Sequence, residues 1–182
     1  AKGNMNLLQR ALANLAEVFA PLIPAIIVGG LILGFRNVIG DIKLLENGTR
    51  AITEVYPFWK GAYDFLWLAG EAIFTFLPVG VTWSVCRKMN ADQMLGIVLG
   101  ITLVSPQLMS ASDYVAAVEA GETVKVWDFG SFHINMVGYQ SQVIPAILVG
   151  IVFSLLYRFL KKRVPEMISM IVVPFFSLIP AI

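Results

Sequence analysis

Apolar positions fall along this chain in long uncharged runs separated by polar turns, the pattern of a polypeptide that crosses a bilayer several times. The first stretch differs. From Asn6 to Glu17, Leu7, Leu8, Ala11, Leu12, Leu15 and Ala16 recur at helical spacing, with Asn6, Gln9, Arg10, Asn14 and Glu17 on the other side. This predicts an amphipathic helix, either lying along the membrane interface or packed as an ordinary helix. Residues 18–35 carry no charge and are just long enough to span at about 1.5 Å per residue. Pro21 and Pro24 fall in the first turns, where a missing amide donor costs least. Gly30 and Gly34 form a GxxxG pair, read as close helix packing within the chain or as a dimer contact. Residues 36–61 are polar and turn-rich, with Tyr56, Phe58 and Trp59 placed as interface anchors. Asn47-Gly48-Thr49 has the form of a glycosylation sequon, too short a motif to carry weight.

A second span is predicted over residues 63–85, ending at Arg87 and Lys88. Its interior holds Glu71. A carboxylate at that depth is expensive and by default faces a bundle interior or an aqueous path; the other reading is a protonated carboxyl bonded to a neighbouring helix. Asp64, nearer the boundary, is expected to cap the helix. Residues 94–109 are short for a crossing, so a re-entrant segment competes with a span. Charge decides between them: only a crossing puts Lys2, Arg10, Arg87, Lys88 and the cluster Arg158, Lys161, Lys162, Arg163 on one side, as the positive-inside rule asks. Gly96 and Gly100 then form a second close-packing pair. Residues 110–142 become an outer loop containing a short helix over Ala116–Gly121. Spans over 143–160 and 165–182 follow, joined by the basic turn; Pro165 is placed to start the last helix, and Pro174 and Pro180 to bend it. Tyr139, Gln140 and Gln142 stand at the outer mouth of the fourth span.

Composition agrees. The chain is 58% hydrophobic and 14% charged with mean hydropathy +0.78, against about 45–50% and about 25% in soluble domains. A net charge of +1 gives no electrostatic case for nucleic acid. One cysteine and one histidine exclude an internal disulfide and a Cys/His metal site, and no cofactor is implied. His133 reads as a surface or hydrogen-bonding residue. Cys86, beside Arg87 and Lys88, is expected to react with a membrane-impermeant maleimide from the cytoplasmic side. The start lacks Met and a signal-peptide cleavage pattern, and both ends read as cuts through a longer protein.

Several segments together resemble the membrane IIC domain of phosphotransferase-system (PTS) sugar permeases: GGLILGFRNVIGD, YDFLWLAGEAIFTFLPVGVTWS, LGIVLGITLVSPQLM, VWDFG and GYQSQVIPAILVG. The branch is the glucose superfamily, and within it the trehalose-specific IIBC proteins. The resemblance implies an all-α integral membrane fold, about five transmembrane helices preceded by an amphipathic interfacial helix, as a truncated piece of a larger helical permease. Residues 1–182 would be the N-terminal scaffold and dimerisation half. The implied function is sugar uptake by group translocation, in which the permease presents a sugar hydroxyl to a phosphocysteine of the IIB domain. Phosphoryl transfer would then be an activity of the complex; Cys86 does not match the phosphocysteine motif, and no other catalytic nucleophile is evident here. The implied partners are a disaccharide, trehalose, together with the IIB and IIA domains, the lipid bilayer and a second copy in a homodimer. The implied location is the bacterial cell (inner) membrane, multi-pass, with a cytoplasmic N-terminus. Candidate substrate contacts are Glu71, Tyr139, Gln140 and Gln142; because the resemblance implies that the main sugar-contacting motifs lie in the C-terminal half of IIC, the last three also read as a helix entry and packing motif bordering the site. Two alternatives stand beside this reading: an oligomerisation scaffold without its own substrate site, and half of an ion-coupled transporter with Glu71 as its proton or cation site.

Overall fold

Helices account for most of the computed structural model, which describes residues 6–45 and 48–182. Lys2 and Asn47 lie outside the described residues. Packing divides the chain into two compact units: Leu22–Thr75, and the N-terminal segment to Pro21 together with Phe76–Ile182.

In the larger unit, α1 (Leu7–Phe19) opens with the Asn6 amide donating to Gln9 Oε1 at 3.1 Å. Its polar side is fastened. The Lys88 ammonium donates to Glu17 Oε2 at 2.8 Å, to the Asn14 carbonyl at 2.9 Å and to Asn14 Oδ1 at 3.0 Å, while Ser84 Oγ donates to the Val18 carbonyl at 2.6 Å. Leu8 and Leu12 remain exposed. The amphipathic helix is therefore docked along one side and bare along another.

The smaller unit is a helical hairpin. The second helix, α2 (Ile23–Asp41), begins with Pro24 in its first turn and runs on past Arg36, where the uncharged run ends. Strands β1 (Lys43–Leu45) and β2 (Arg50–Ala51) pair antiparallel, α3 (Ile52–Val55) is a single turn, and α4 (Pro57–Thr75) returns along α2. Glycines set the approach. A Cβ on Gly29 would press on Ile73 and Phe74, one on Gly40 on Tyr63, and one on Gly70 on Leu33. The sequence pair Gly30 and Gly34 faces open space instead, so the intramolecular contact of α2 uses neighbouring glycines. Asp64 sits inside α4, two turns along from Pro57, and so is not at its N-cap.

Within the larger unit, the next helix is α5 (Leu77–Lys88), with Pro78 in its first turn. The predicted span over 63–85 is thus interrupted at Phe76, because proline cannot supply the amide that an uninterrupted helix needs. The 32-residue stretch Pro57–Lys88 is nonetheless apolar enough to cross a membrane, as are α2 and α8. After a turn at Asn90 (φ 54°), Asp92 caps α6 (Gln93–Leu103) by accepting from the Leu95 amide at 3.0 Å. Next come α7 (Ala111–Glu119), capped by Ser110, and the hairpin β3 (Val126–Asp128) and β4 (His133–Asn135). The short helix starts earlier than the predicted Ala116, and Gly121 follows it at φ 70°.

Two helices complete the unit. They are α8 (Val143–Lys161) and α9 (Glu166–Leu178), the latter continued by a 3-10 turn over Ile179–Ala181. Pro165, expected at the first helical position, is instead the N-cap of α9, which begins one place later at Glu166. Both α6 and α9 are apolar but shorter than a full crossing.

The core of this unit forms around α5, against which α6 and α8 pack. Val81, Cys86, Leu99, Ala146 and Phe153 are fully buried. Small residues bring the backbones together: Gly96 lies against Cys86, Gly100 against the Val79 backbone and Thr82, and Gly150 against Val85. Thr82, buried at this seam, donates to the Pro78 and Val79 carbonyls at 3.1 and 3.0 Å, which satisfies its hydroxyl without a partner helix. Cys86 is also buried, 3.6 Å from Ser154 Oγ. It is therefore not the aqueous labelling site that its sequence position suggested.

A side chain at Gly100 has nowhere to go, since it would meet the Val79 backbone and the buried Thr82 hydroxyl of α5. Gly100→Val is expected to destabilise the bundle by about 1–3 kcal/mol through overpacking. Gly61→Ala, in open space on α4, should be neutral or stabilising, gaining up to about 1 kcal/mol of helix propensity. Thermal melts of both variants in one detergent check the pair.

Candidate functional site

The polar segment that precedes α8 is held rigidly. Its glycine is buried, and the Gly138 amide donates to the Met109 carbonyl and the Tyr139 amide to the Leu103 carbonyl, each at 2.8 Å. Met109 in turn donates to Met136 at 2.9 Å and bridges Val137. The turn is closed by Gln142 donating to the Tyr139 carbonyl at 3.1 Å, with Ser141 in the left-handed region at φ 60°. A non-glycine residue held there is strained, and such strain persists only where surrounding contacts fix it.

The backbone bonds are spent on holding the turn, which leaves side chains free for a ligand. Tyr139 is 37% exposed, and Gln142 occupies the N-cap of α8 without capping it. Gln140 Oε1 is buried and accepts no hydrogen bond among the described residues. A buried acceptor left unpaired costs about 1–3 kcal/mol. Tyr139, Gln140 and Gln142 thus share one turn.

Glu71 belongs to the other unit. It sits half-buried on α4, where Thr75 Oγ1, one turn along the same helix, donates to its Oε1 at 2.9 Å. The bonded partner is intrahelical, not a residue of a neighbouring helix as one of the sequence readings had it.

Arg36 was not singled out by the sequence. Its guanidinium lies 3.6 Å from the Tyr63 ring centroid and 4.5 Å from that of Trp67, and its Nε is buried with no hydrogen-bond partner among the described residues. Tyr63 and Trp67 are one turn apart on α4, so their rings stack on the same face and clasp a cation from α2. An aromatic pair at that spacing opposite a lone arginine is the signal that sequence reading could have used. The polar groove nearby, about 390 Å³, is lined by Thr53, Glu54, Lys60, Tyr63 and Asp64.

His133 pairs through Nδ1 with Asp128 Oδ1 at 3.1 Å on the exposed β3–β4 hairpin. Asp128 also accepts from the Gly130 amide at 2.7 Å, so the pair closes the turn. Among the described residues no group of three His, Cys, Asp or Glu is placed to hold a metal ion.

Comparison with known proteins adds to this geometry. The family profile described as Phosphotransferase system, EIIC matches residues 16–182. Over 182 residues the chain is 50% identical to the PTS system trehalose-specific EIIBC component of Escherichia coli (strain K12), covering 100% of this chain and 37% of that protein. The trehalose-specific EIIBC component of Bacillus subtilis (strain 168) is 39% identical over 93% of this chain and 36% of its own length. The sucrose-specific EIIBC component of Staphylococcus xylosus is 32% identical over 97% of this chain, again 36% of its length. The chain therefore spans little more than a third of these relatives. No solved structure matches it.

Replacing Arg36 by Leu removes both ring contacts and is expected to cost about 1–2 kcal/mol, with Arg36→Lys retaining part of it. Hydrogen exchange of α2 and α4 amides should quicken in that order.

Proposed function

Because this chain belongs to the phosphotransferase-system EIIC family, we propose that it forms the N-terminal part of a membrane permease that takes up trehalose by group translocation. The observation that carries this reading is 50% identity, along the whole chain, to a protein named as trehalose-specific. The sucrose-specific relatives are less similar, at 34% identity or below among those compared.

In this reading the chain crosses the membrane about five times, with α6 and its extension to Met109 as the third crossing. The N-terminus and the Arg158–Arg163 turn then face the cytoplasm of a bacterial cell, and the Tyr139–Gln142 turn faces outward. Sugar arriving from outside meets that turn. Gln140 and Gln142 supply amide donors and acceptors for its hydroxyls, and Tyr139 supplies an apolar ring face with a phenolic tip. Glu71, in the smaller unit, is a separate candidate contact: a carboxylate acceptor already preorganised by Thr75, suited to a charge-assisted bond with a sugar hydroxyl. The sugar is then carried inward and its hydroxyl presented to a phosphocysteine on IIB, itself recharged by IIA. The rest of α2, with Gly30 and Gly34 unobstructed and Leu31 68% exposed, is the face on which two copies would pair.

Membrane vesicles carrying the full-length protein test this. Labelled trehalose should enter as its phosphate, only with phosphoenolpyruvate and the soluble phosphoryl carriers, and with no response to collapse of the proton gradient. Uptake that needs the gradient and delivers free sugar would overturn it. Gln140→Leu is expected to weaken apparent affinity by about 2–10-fold, and Glu71→Gln by about 10-fold or more, the worth of a neutral and a charged hydrogen bond respectively. Unchanged uptake and binding in the second variant would remove Glu71 from the site.

A further inference from the structure

The last turn of α8 and the residues that follow it carry Arg158, Lys161, Lys162 and Arg163, all exposed. Among the described residues none of these cations has a carboxylate within ion-pair distance, Glu166 included, although Glu166 opens the next helix. Two of them are held by aromatic rings one turn back. Lys161 Nζ is 5.6 Å from the Tyr157 ring and the Arg163 guanidinium 4.7 Å from the Phe159 ring. A solvated charge run would leave such side chains extended into water; here they are drawn back over rings, with their charge unneutralised.

The surface beside them is apolar. Leu155 and Phe159 on α8, and Met167, Met170 and Ile171 on α9, are 54–96% exposed. Cations without counter-charges, bordered directly by bare aliphatic surface, match an amphiphile with an anionic head and hydrocarbon tails. Neither a free anion nor an acidic protein surface would use the apolar part of that arrangement.

We propose that the α8–α9 turn is a binding site for an anionic phospholipid. The phosphate lies among Lys161, Lys162 and Arg163, and the acyl chains lie along Phe159, Met167 and Met170. The site is independent of sugar recognition.

The test uses the full-length protein purified in neutral detergent, with phosphatidylglycerol or phosphatidylcholine added at equal mole fraction, and counts bound lipid by native mass spectrometry. Wild type is expected to retain phosphatidylglycerol over phosphatidylcholine. The triple variant Lys161→Gln, Lys162→Gln, Arg163→Gln should lose that retention by about tenfold or more, each basic group near an anionic surface being a substantial share of the attraction. Inorganic phosphate at millimolar concentration should not displace the lipid, whereas raising the salt should weaken retention by the wild type, a readout that does not depend on the variant folding. Equal retention of both lipids by wild type would overturn the proposal, as would full retention of phosphatidylglycerol by the folded triple variant. So would displacement of the lipid by inorganic phosphate, or lipid binding unaltered by the triple substitution while association with the IIB domain falls.

Discussion

Everything in the larger unit depends on how closely α6 and α8 can approach α5. Inside a bilayer the lipid tails are as apolar as the side chains, so burial alone does not draw helices together. What remains is contact between backbones, and that requires positions with no side chain. Gly96 and Gly100 provide them on α6, and Gly150 on α8. Once the seam is closed, Thr82 must satisfy its hydroxyl on its own helix, and it does so through the Pro78 and Val79 carbonyls. Proline thus serves α5 twice, opening the helix and offering a carbonyl that Thr82 can use.

The same seam positions the polar turn. With α6 fixed against α5, its last carbonyls at Leu103 and beyond become anchors for Gly138 and Tyr139, through Met109. The Tyr139–Gln142 turn is consequently built on rigid structure, and its side chains are left unspent. At the other end of α5, Lys88 gathers Glu17 and Asn14 and so ties α1 to the bundle.

Much of this was legible in the sequence because membrane helices announce themselves by length and composition. The uncharged runs, the role of Gly96 and Gly100, the basic turn and the amphipathic start all follow from residue spacing. Other features were not legible, since they depend on which face of a helix meets a neighbour. Gly30 and Gly34 have the motif spacing, yet Gly29, Gly40 and Gly70 make the contact in their unit. Cys86 stands beside two cations in sequence, but its side chain points into the core. The break at Phe76 is signalled by Pro78, but the run around it is so apolar that it reads as one span. Of the candidate contacts, Tyr139, Gln140 and Gln142 were visible as a polar cluster, and the Thr75 bond to Glu71 follows from their one-turn spacing. The Arg36 clasp required pairing residues far apart in sequence.

The proposed group translocation requires the polar turn outside, where sugar would arrive, and the basic turn inside, where phosphoryl transfer would take place. Impermeant maleimide labelling of the full-length protein measures this directly, with the buried thiol removed by Cys86→Ala and single cysteines introduced as Thr123→Cys or Lys162→Cys. The account predicts that the first labels in intact cells and the second only after the cytoplasmic face is opened. Labelling of both from the same side would contradict it.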